Sequence, residues 1–245
     1  MNVTSPSEFL ASDPECDLLI DLDRNNSSGL FPYDYQASAS LCVTGDETPL
    51  CDQDLYLHTS FPLDSVSICI TGVLNGVDEF IYSIGLPTGF ILNKNTDLCW
   101  TLIKKNGSDL EYADALKSLR YRNISANRIS GLRIIQLQGI NTLKKGSLIR
   151  AFIQVGKQVT AGQDTSLILC NDKNTIPLNT LLSNTSDKNG HWIPALNSNS
   201  DLFNPGIDNY GTYQYVVSDV YCGSDTARVD IMNGNVIPFN LGPDR

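Results

Sequence analysis

Short runs of aromatic and β-branched residues, each closed by Asn, Asp, Gly, Ser or Pro, recur along the whole chain. Few windows place apolar residues at helical spacing, so the pattern favours strands over helices. In the first two thirds of the chain such runs cover residues 18–22, 38–43, 65–72, 79–84, 89–92, 98–104, 131–137 and 148–155. Regular short strands separated by turns predict an all-β fold built from sandwiches.

One segment departs from this rhythm. Residues 110–119 place their apolar side chains at helical spacing, and Ser108 before them is typical of a helix N-cap. Alternation with period two returns at residues 120–124. We therefore predict a single short helix that packs on the edge of a sheet.

A turn-rich segment at residues 156–162 precedes a second set of strand-like runs, which begins at Thr165–Cys170. We place a domain boundary near residue 157 and predict two tandem β-sandwich modules, 1–157 and 158–245. The second is close to the size of one immunoglobulin-like sandwich. Its last residues read like a linker cut short, so we expect a longer parent protein.

The net charge of -10 opposes a nucleic-acid partner, because phosphate binding needs clustered Lys and Arg and none cluster here. Acidity fits solubility or calcium binding. The sequence also lacks an apolar run of about 18 residues, so we expect no membrane span.

Seven cysteines lie mostly in strand-like contexts, without a Cys-x-x-Cys pair: Cys16, Cys42, Cys51, Cys69, Cys99, Cys170 and Cys222. That spacing opposes a zinc site. Spaced cysteines on an acidic β protein indicate an oxidising, extracellular compartment and disulfides. Buried free thiols are the alternative, and an odd count leaves one cysteine over in either case.

In the second module Cys170 and Cys222 are about fifty residues apart with Trp192 between them, a separation typical of a disulfide that joins two sheets. The segment 208–213 resembles a tyrosine corner, in which a Tyr hydroxyl ties a strand to the preceding loop.

The order of several motifs resembles known repeats. The run Asp-Leu-Asp-Arg-Asn-Asn-Ser-Ser-Gly at 21–29, the pattern Glu-Tyr-x-x-Ala-Leu-x-x-Leu-x-Tyr-x-Asn at 111–123 and the strand 131–135 resemble a cadherin-like repeat. Residues 161–170 and the later Gly190-His191-Trp192, Phe203-Asn204-Pro205, Gly211–Tyr215 and Cys222 resemble an Ig-like repeat. Both kinds of repeat occur in very long secreted surface adhesins of the Bacteroidota. The resemblance implies type IX secretion, a repeat architecture, and adhesion or filament and hook building.

The first module departs from such repeats in carrying five cysteines, which indicates extra crosslinking. Cys42 and Cys51 flank a turn-rich segment and are candidates for a local pair. That choice leaves Cys69 and Cys99 as a cross-strand candidate, and the sequence alone allows other connectivities.

Acidic residues gather in the first third of the chain. Calcium takes six to eight oxygen ligands, which Asp-x-Asp elements at strand ends supply, so Asp21, Asp23, Asp52 and Asp54 are the candidate calcium ligands. The alternative is that they are solvated turn residues, since no segment fits the EF-hand loop.

We predict that the chain is not an enzyme, because its two histidines, His58 and His191, lie in no hydrolase signature. A structural and adhesive module of a long secreted surface protein is the favoured function. Its expected partners are other modules of the same chain and further copies in a homo-oligomer or filament. A carbohydrate- or protein-binding module is the second hypothesis, with Tyr33, Tyr35 and Tyr210 as the loop aromatics to test, and a secreted hydrolase is the third.

Overall fold

The structure, a computed structural model, describes residues 18–30, 32–72, 75–170 and 173–234. Cys16 and the predicted linker at the end of the second module lie outside these residues. The chain divides into two compact units, Met1–Lys157 and Gln158–Arg245. Across the described residues the regular elements are strands, apart from one α-helix and two single 3-10 turns, so the fold is all-β. No helix in this part of the chain is long and apolar enough to cross a membrane.

The first unit holds strands β1 to β11 and helix α1. Their bounds are β1 Leu18–Asp21, β2 Tyr35–Gln36, β3 Glu47–Pro49, β4 Tyr56–Thr59, β5 Leu63–Thr71, β6 Glu79–Ser83, β7 Ile91–Lys94, β8 Cys99–Gly107, α1 Asp109–Lys117, β9 Leu119–Asn123, β10 Gly131–Ile140 and β11 Ile149–Val155. One sheet has six strands in the order β2-β11-β10-β5-β8-β7. A second has the order β3-β9-β6, and β1 pairs with β4. The pairs are antiparallel except for β2 with β11.

The central strand β5 shows why the six-stranded sheet buries one face. Its side chains alternate, and Val66, Ile68 and Ile70 point into the core. The same core contains Tyr121 of β9 and Leu116 of α1. The six-stranded sheet therefore forms one layer of a sandwich, and the smaller sheets and the helix cover its buried face.

Helix α1 begins one residue before the predicted segment and ends two residues short of it. Ser108 is its N-cap and forms a capping box with Glu111. The hydroxyl of Tyr112 accepts a hydrogen bond from the Lys104 amide at 3.0 Å and donates one to the Lys104 carbonyl at 2.9 Å. These bonds attach the helix to β8 at the point where the pairing of β8 with β5 is irregular.

The second unit holds the remaining strands. Their bounds are β12 Thr165–Leu169, β13 Ile176–Pro177, β14 His191–Ile193, β15 Leu202–Phe203, β16 Gly211–Asp219 and β17 Gly223–Asn233. One sheet has the order β12-β17-β16-β14, in which β12 and β17 are parallel, and β13 pairs with β15. Trp192, Phe203 and Tyr215 belong to one buried cluster that both sheets line. The Tyr213 hydroxyl donates to the Asn209 carbonyl at 2.7 Å, as a tyrosine corner does.

The structure contains a disulfide between Cys69 and Cys99, which lie opposite each other on β5 and β8. Cys42 is also disulfide-bonded, but the predicted Cys42–Cys51 pair is wrong. Cys51 is a free cysteine, 2% exposed in the first core. Burial raises the pKa of its thiol to about 12.

The predicted Cys170–Cys222 disulfide is also wrong. Cys170 is free and exposed, whereas Cys222 is disulfide-bonded. Cys222 directly precedes β17, and Cys170 lies beside the other end of that strand, where the Gly234 amide bonds to the Leu169 carbonyl. A strand of 11 residues is about 35 Å long. Disulfide-bonded cysteines need Cα atoms within about 7 Å, so this pair cannot form.

Candidate metal centre

The loop that follows β1, residues 22–30, contains two consecutive turns. The Asn26 amide donates to the Asp23 carbonyl at 2.9 Å, and the Gly29 amide donates to the Asn26 carbonyl at 3.0 Å. Asn26 and Gly29 have φ angles of 55° and 82°, in the left-handed region. Asn and Gly are the residues that tolerate this conformation best, so the local sequence favours the turns.

The Asp23 carboxylate lies inside this loop and is fully buried. One of its oxygens, Oδ1, accepts from the Ser27 amide at 3.0 Å and from the Ser27 hydroxyl at 3.2 Å, and Oδ2 accepts from the Ser28 amide at 2.7 Å. Burial by itself would raise the pKa of Asp23, but the hydrogen bonds from Ser28 and Ser27 outweigh it and lower the pKa. Asp23 is therefore ionised inside the loop.

A second segment, just before β4, brings two more carboxylates to the loop. Asp52 and Asp54 lie in a turn between the buried residues Cys51 and Leu55, and both are partly exposed. The Asp52 amide donates to the Leu22 carbonyl at 2.8 Å. The loop and the segment are thus joined by backbone as well as by side chains.

Both aspartates also accept hydrogen bonds from the loop. Asp52 Oδ2 accepts from the Ser27 hydroxyl at 2.8 Å, and Asp54 Oδ2 accepts from the Asn25 amide at 2.9 Å. One carboxylate oxygen from each of Asp23, Asp52 and Asp54 lies within 4.8 Å of the other two. The structure therefore gathers three of the four predicted ligands.

Asp21 does not join this group. It is buried at the end of β1, and its Oδ1 accepts from the Asp23 amide at 3.2 Å. Burial raises the pKa of Asp21, and the charges of Asp23 and Asp54 raise it further. Asp21 holds the loop through this hydrogen bond, and its carboxylate does not belong to the group formed by the other three.

No ion pair with Lys, Arg or His compensates the three carboxylates within the part of the chain that the structure describes. The cation within the loop, Arg24, instead lies over the ring of Tyr56, 4.5 Å from its centroid. Carboxylate oxygens are hard, negatively charged donors. A set of three that lacks a basic partner can hold a hard divalent cation.

Asn25, Asn26 and Ser27 contribute to this site, and the sequence analysis did not single them out. The sequence contains a signal for two of them. Asp23, Asn25 and Ser27 occupy every second position of the loop, as oxygen-bearing residues do in many cation-binding loops.

The other candidate residues are not arranged as a second site. Tyr35 is buried, Tyr33 packs against the first core, and Tyr210 packs against Phe203 with ring centroids 5.8 Å apart. These three tyrosines therefore form no exposed platform for a sugar.

The two histidines lie in different units. His58 is exposed, with Nδ1 3.7 Å from Asp109 Oδ2. His191 begins β14 beside the buried Trp192.

No protein-family model matches the chain, and no curated protein matches it. Among solved structures, the crystal structure of murine CEACAM1b aligns with 83% of this chain and 99% of its own, at 13% sequence identity and a TM-score of 0.35. A match at that TM-score carries no argument about fold or function.

Proposed function

We propose that this chain is a non-enzymatic structural and adhesive module of a long secreted protein at the cell surface. The observation that carries the proposal is the state of the cysteines. Of the six cysteines in the described residues, Cys42, Cys69, Cys99 and Cys222 are disulfide-bonded. Such crosslinks persist in oxidising compartments and are rare in the cytosol, which supports an extracellular location.

The architecture supports a mechanical role. The Cys69–Cys99 disulfide joins β5 to β8 within the six-stranded sheet, where it prevents these strands from separating. Two all-β units in one chain are the organisation expected of a spacer or an adhesin, in which modules repeat along a fibre. The resemblance to repeats of secreted Bacteroidota adhesins supports the same function and adds type IX secretion to the proposal.

The proposed partners are neighbouring modules of the same chain and further copies of it. Modules in series bury little surface between neighbours, so a stable filament needs lateral contacts between copies, in a cyclic or helical assembly. Size-exclusion chromatography with light scattering checks this part. A monomer at every concentration would show that the chain does not assemble by itself.

The test of the surface function uses cells that produce the protein. Free thiols are blocked with N-ethylmaleimide before lysis, and intact cells are treated with an external protease. We expect the protease to remove the protein from intact cells, and mass spectrometry to find the crosslinked peptide that contains Cys69 and Cys99. Protection from the protease together with alkylated Cys69 and Cys99 would overturn the proposal.

Adhesion is tested separately. Cells that lack the chain are compared with wild-type cells for attachment to a surface under flow, and the purified chain is added back as a competitor. We expect reduced attachment without the chain and inhibition by the added protein. Equal attachment in all three conditions would remove adhesion from the proposed function.

A further inference from the structure

We propose that one end of the first unit docks on the surface of an anionic lipid bilayer. This end, the three-loop end, consists of residues 60–62 between β4 and β5, residues 105–110 from the end of β8 to the start of α1, and residues 141–148 between β10 and β11. The inference rests on the proposed surface function and deepens it, because it names the kind of surface to which the module attaches.

The register of the six-stranded sheet brings the three loops together. Ile140, the last residue of β10, lies opposite Ser65 of β5, and Ser65 in turn lies opposite Ile103 of β8. The ends of β10 and β8 therefore flank the start of β5. Neighbouring strands are about 4.8 Å apart, so β10 and β8 are separated by about 10 Å. The three loops thus lie side by side.

Each of these loops exposes at least one large apolar side chain. The exposed fractions are 46% for Phe61, 71% for Leu110, 67% for Leu143 and 44% for Leu148. Single exposed apolar residues are common on soluble proteins and need no function. Four that share one end of one sheet form a group that a single partner can remove from water together.

Leu143 is held at the tip of its loop by an ordered turn. Asn141 Oδ1 accepts from the amides of Leu143 and Lys144, both at 2.9 Å, and the Asn141 amide donates to the Lys144 carbonyl at 3.1 Å. At the base of the turn the Gly146 amide donates to the Gly139 carbonyl at 2.9 Å. Turns of this kind favour Asn, Asp, Gly and Ser at their exposed positions. A leucine on such a tip therefore points to a partner outside the fold.

The charge of the three loops is opposite in sign to that of the chain, whose net charge is -10. The loops contain one acidic residue, Asp109, and three lysines, Lys105, Lys144 and Lys145. The Asp109 carboxylate already accepts from the amide and the hydroxyl of Thr59, at 3.0 and 2.6 Å. Lysines beside apolar tips complement an anionic bilayer, because the apolar side chains enter the boundary of the acyl chains while the ammonium groups stay among the headgroups.

The arrangement suits a lipid surface better than a protein partner. Protein interfaces have a continuous apolar centre depleted of charge, whereas here the apolar residues stand on separate loops with lysines next to them in the sequence. If Asp64 at the start of β5 is counted as well, the three lysines face two carboxylates. We therefore expect a weak, salt-sensitive contact for one module, strengthened where many copies meet one surface.

The experiment sediments the full chain with vesicles of phosphatidylcholine alone, or of phosphatidylcholine and phosphatidylglycerol in equal parts. We expect binding to the anionic vesicles at low salt, at least about tenfold weaker binding to the neutral ones, and a marked loss at high ionic strength. Leu143→Trp adds a reporter, since both native tryptophans are buried. Its fluorescence should shift to shorter wavelength on anionic vesicles and be quenched by brominated lipid.

Two variants and a matched control locate the contact. Leu143→Ser should weaken binding to anionic vesicles about tenfold, because one fewer leucine leaves water. Lys105→Ser combined with Lys145→Ser should weaken it about ten- to thirtyfold at low salt. Leu132→Ser makes the same apolar-to-polar change at the other end of β10, where Leu132 is 40% exposed, and should bind as the wild type does. All four side chains are exposed, and circular dichroism checks that each variant folds.

Absence of binding by the wild type, equal binding to the two kinds of vesicle, or equal binding by wild type and Leu143→Ser would overturn the proposal. Light scattering without vesicles examines the other possible occupant. Copies that associate in the wild type and separate in Leu143→Ser, while vesicles remain unbound, would assign this end to a second copy and overturn the lipid contact.

The lipid contact and the surface function fail separately. A chain that binds anionic vesicles but is protected from external protease on intact cells would overturn the surface function and leave the lipid contact standing. A chain that the protease removes from cells but that binds no vesicles would overturn the lipid contact alone.

Discussion

Replacing Glu79 by Gln will leave the guanidinium of Arg133 buried without its counter-charge. Both side chains are fully buried in the first unit, and Arg133 Nη2 lies 2.9 Å from Glu79 Oε1. Arg133 Nε is 3.1 and 3.0 Å from the two Glu79 oxygens, and the Tyr121 hydroxyl donates to Glu79 Oε2 at 2.9 Å. The carboxylate therefore balances a charge that water cannot reach.

The magnitude follows from the asymmetry of buried ion pairs. Removing one partner leaves an uncompensated charge in a medium of low polarity and costs about 3–5 kcal/mol of unfolding free energy. Replacing both partners removes the desolvation cost together with the attraction, so Glu79→Gln combined with Arg133→Met should be much less destabilised than Glu79→Gln alone. Arg133 also donates to the Gly131 and Ile129 carbonyls, so the double variant will not be neutral.

Urea unfolding of the full chain measures the effect, and the change must appear in the transition of the first unit, whose core contains Trp100. Asp97→Asn is the control. Its pair with Lys94 is exposed, so this change should cost less than about 1 kcal/mol. A cost below about 1 kcal/mol for Glu79→Gln, or an equal cost for the single and double variants, would refute the reasoning.

We make three further predictions, which concern two side chains of the first unit and the two free cysteines. Tyr112→Phe should destabilise the first unit by about 1–2 kcal/mol in urea unfolding, because the Lys104 amide and carbonyl lose their partner; an unchanged midpoint would contradict this. The pKa of Glu111 is lowered to about 2, first by its hydrogen bond from Lys104, so its stabilising contribution is present above the unfolded pKa and is lost as the pH falls from about 4.3 toward 2. Melting temperatures across this range should fall less steeply for Glu111→Gln than for the wild type, and parallel profiles would argue against the linkage. Iodoacetamide at neutral pH should alkylate Cys170 and spare Cys51, whose thiol is buried with a pKa raised to about 12; mass spectrometry that finds equal labelling of the native protein would contradict that burial.

Much of the local structure was predictable because its causes are local. The capping box of Ser108 and Glu111 and the return of period-two alternation define helix α1 and β9 to within a few residues. Strands β3 and β4 were missed, since Glu47–Pro49 and Tyr56–Thr59 are short and are flanked by acidic turn residues.

The candidate site was predictable in part for the same reason. Asp52 and Asp54 are close in sequence, whereas their approach to Asp23 depends on the pairing of β1 with β4. Asp21 lies outside this group, and its Oδ1 accepts a hydrogen bond from the Asp23 amide.

The amino-acid pattern alone established the fold class, the single helix and the acidic character of the loop, because alternation, capping and turn chemistry act between residues that are near neighbours in the chain. Only the tertiary structure decided which distant residues meet. Cys170 and Cys222 have a separation typical of a disulfide, yet they lie at opposite ends of β17, because strand register places residues in space and sequence distance does not. In the first unit the register of β5 and β8 places Cys69 opposite Cys99, whereas Cys51 is a buried free cysteine.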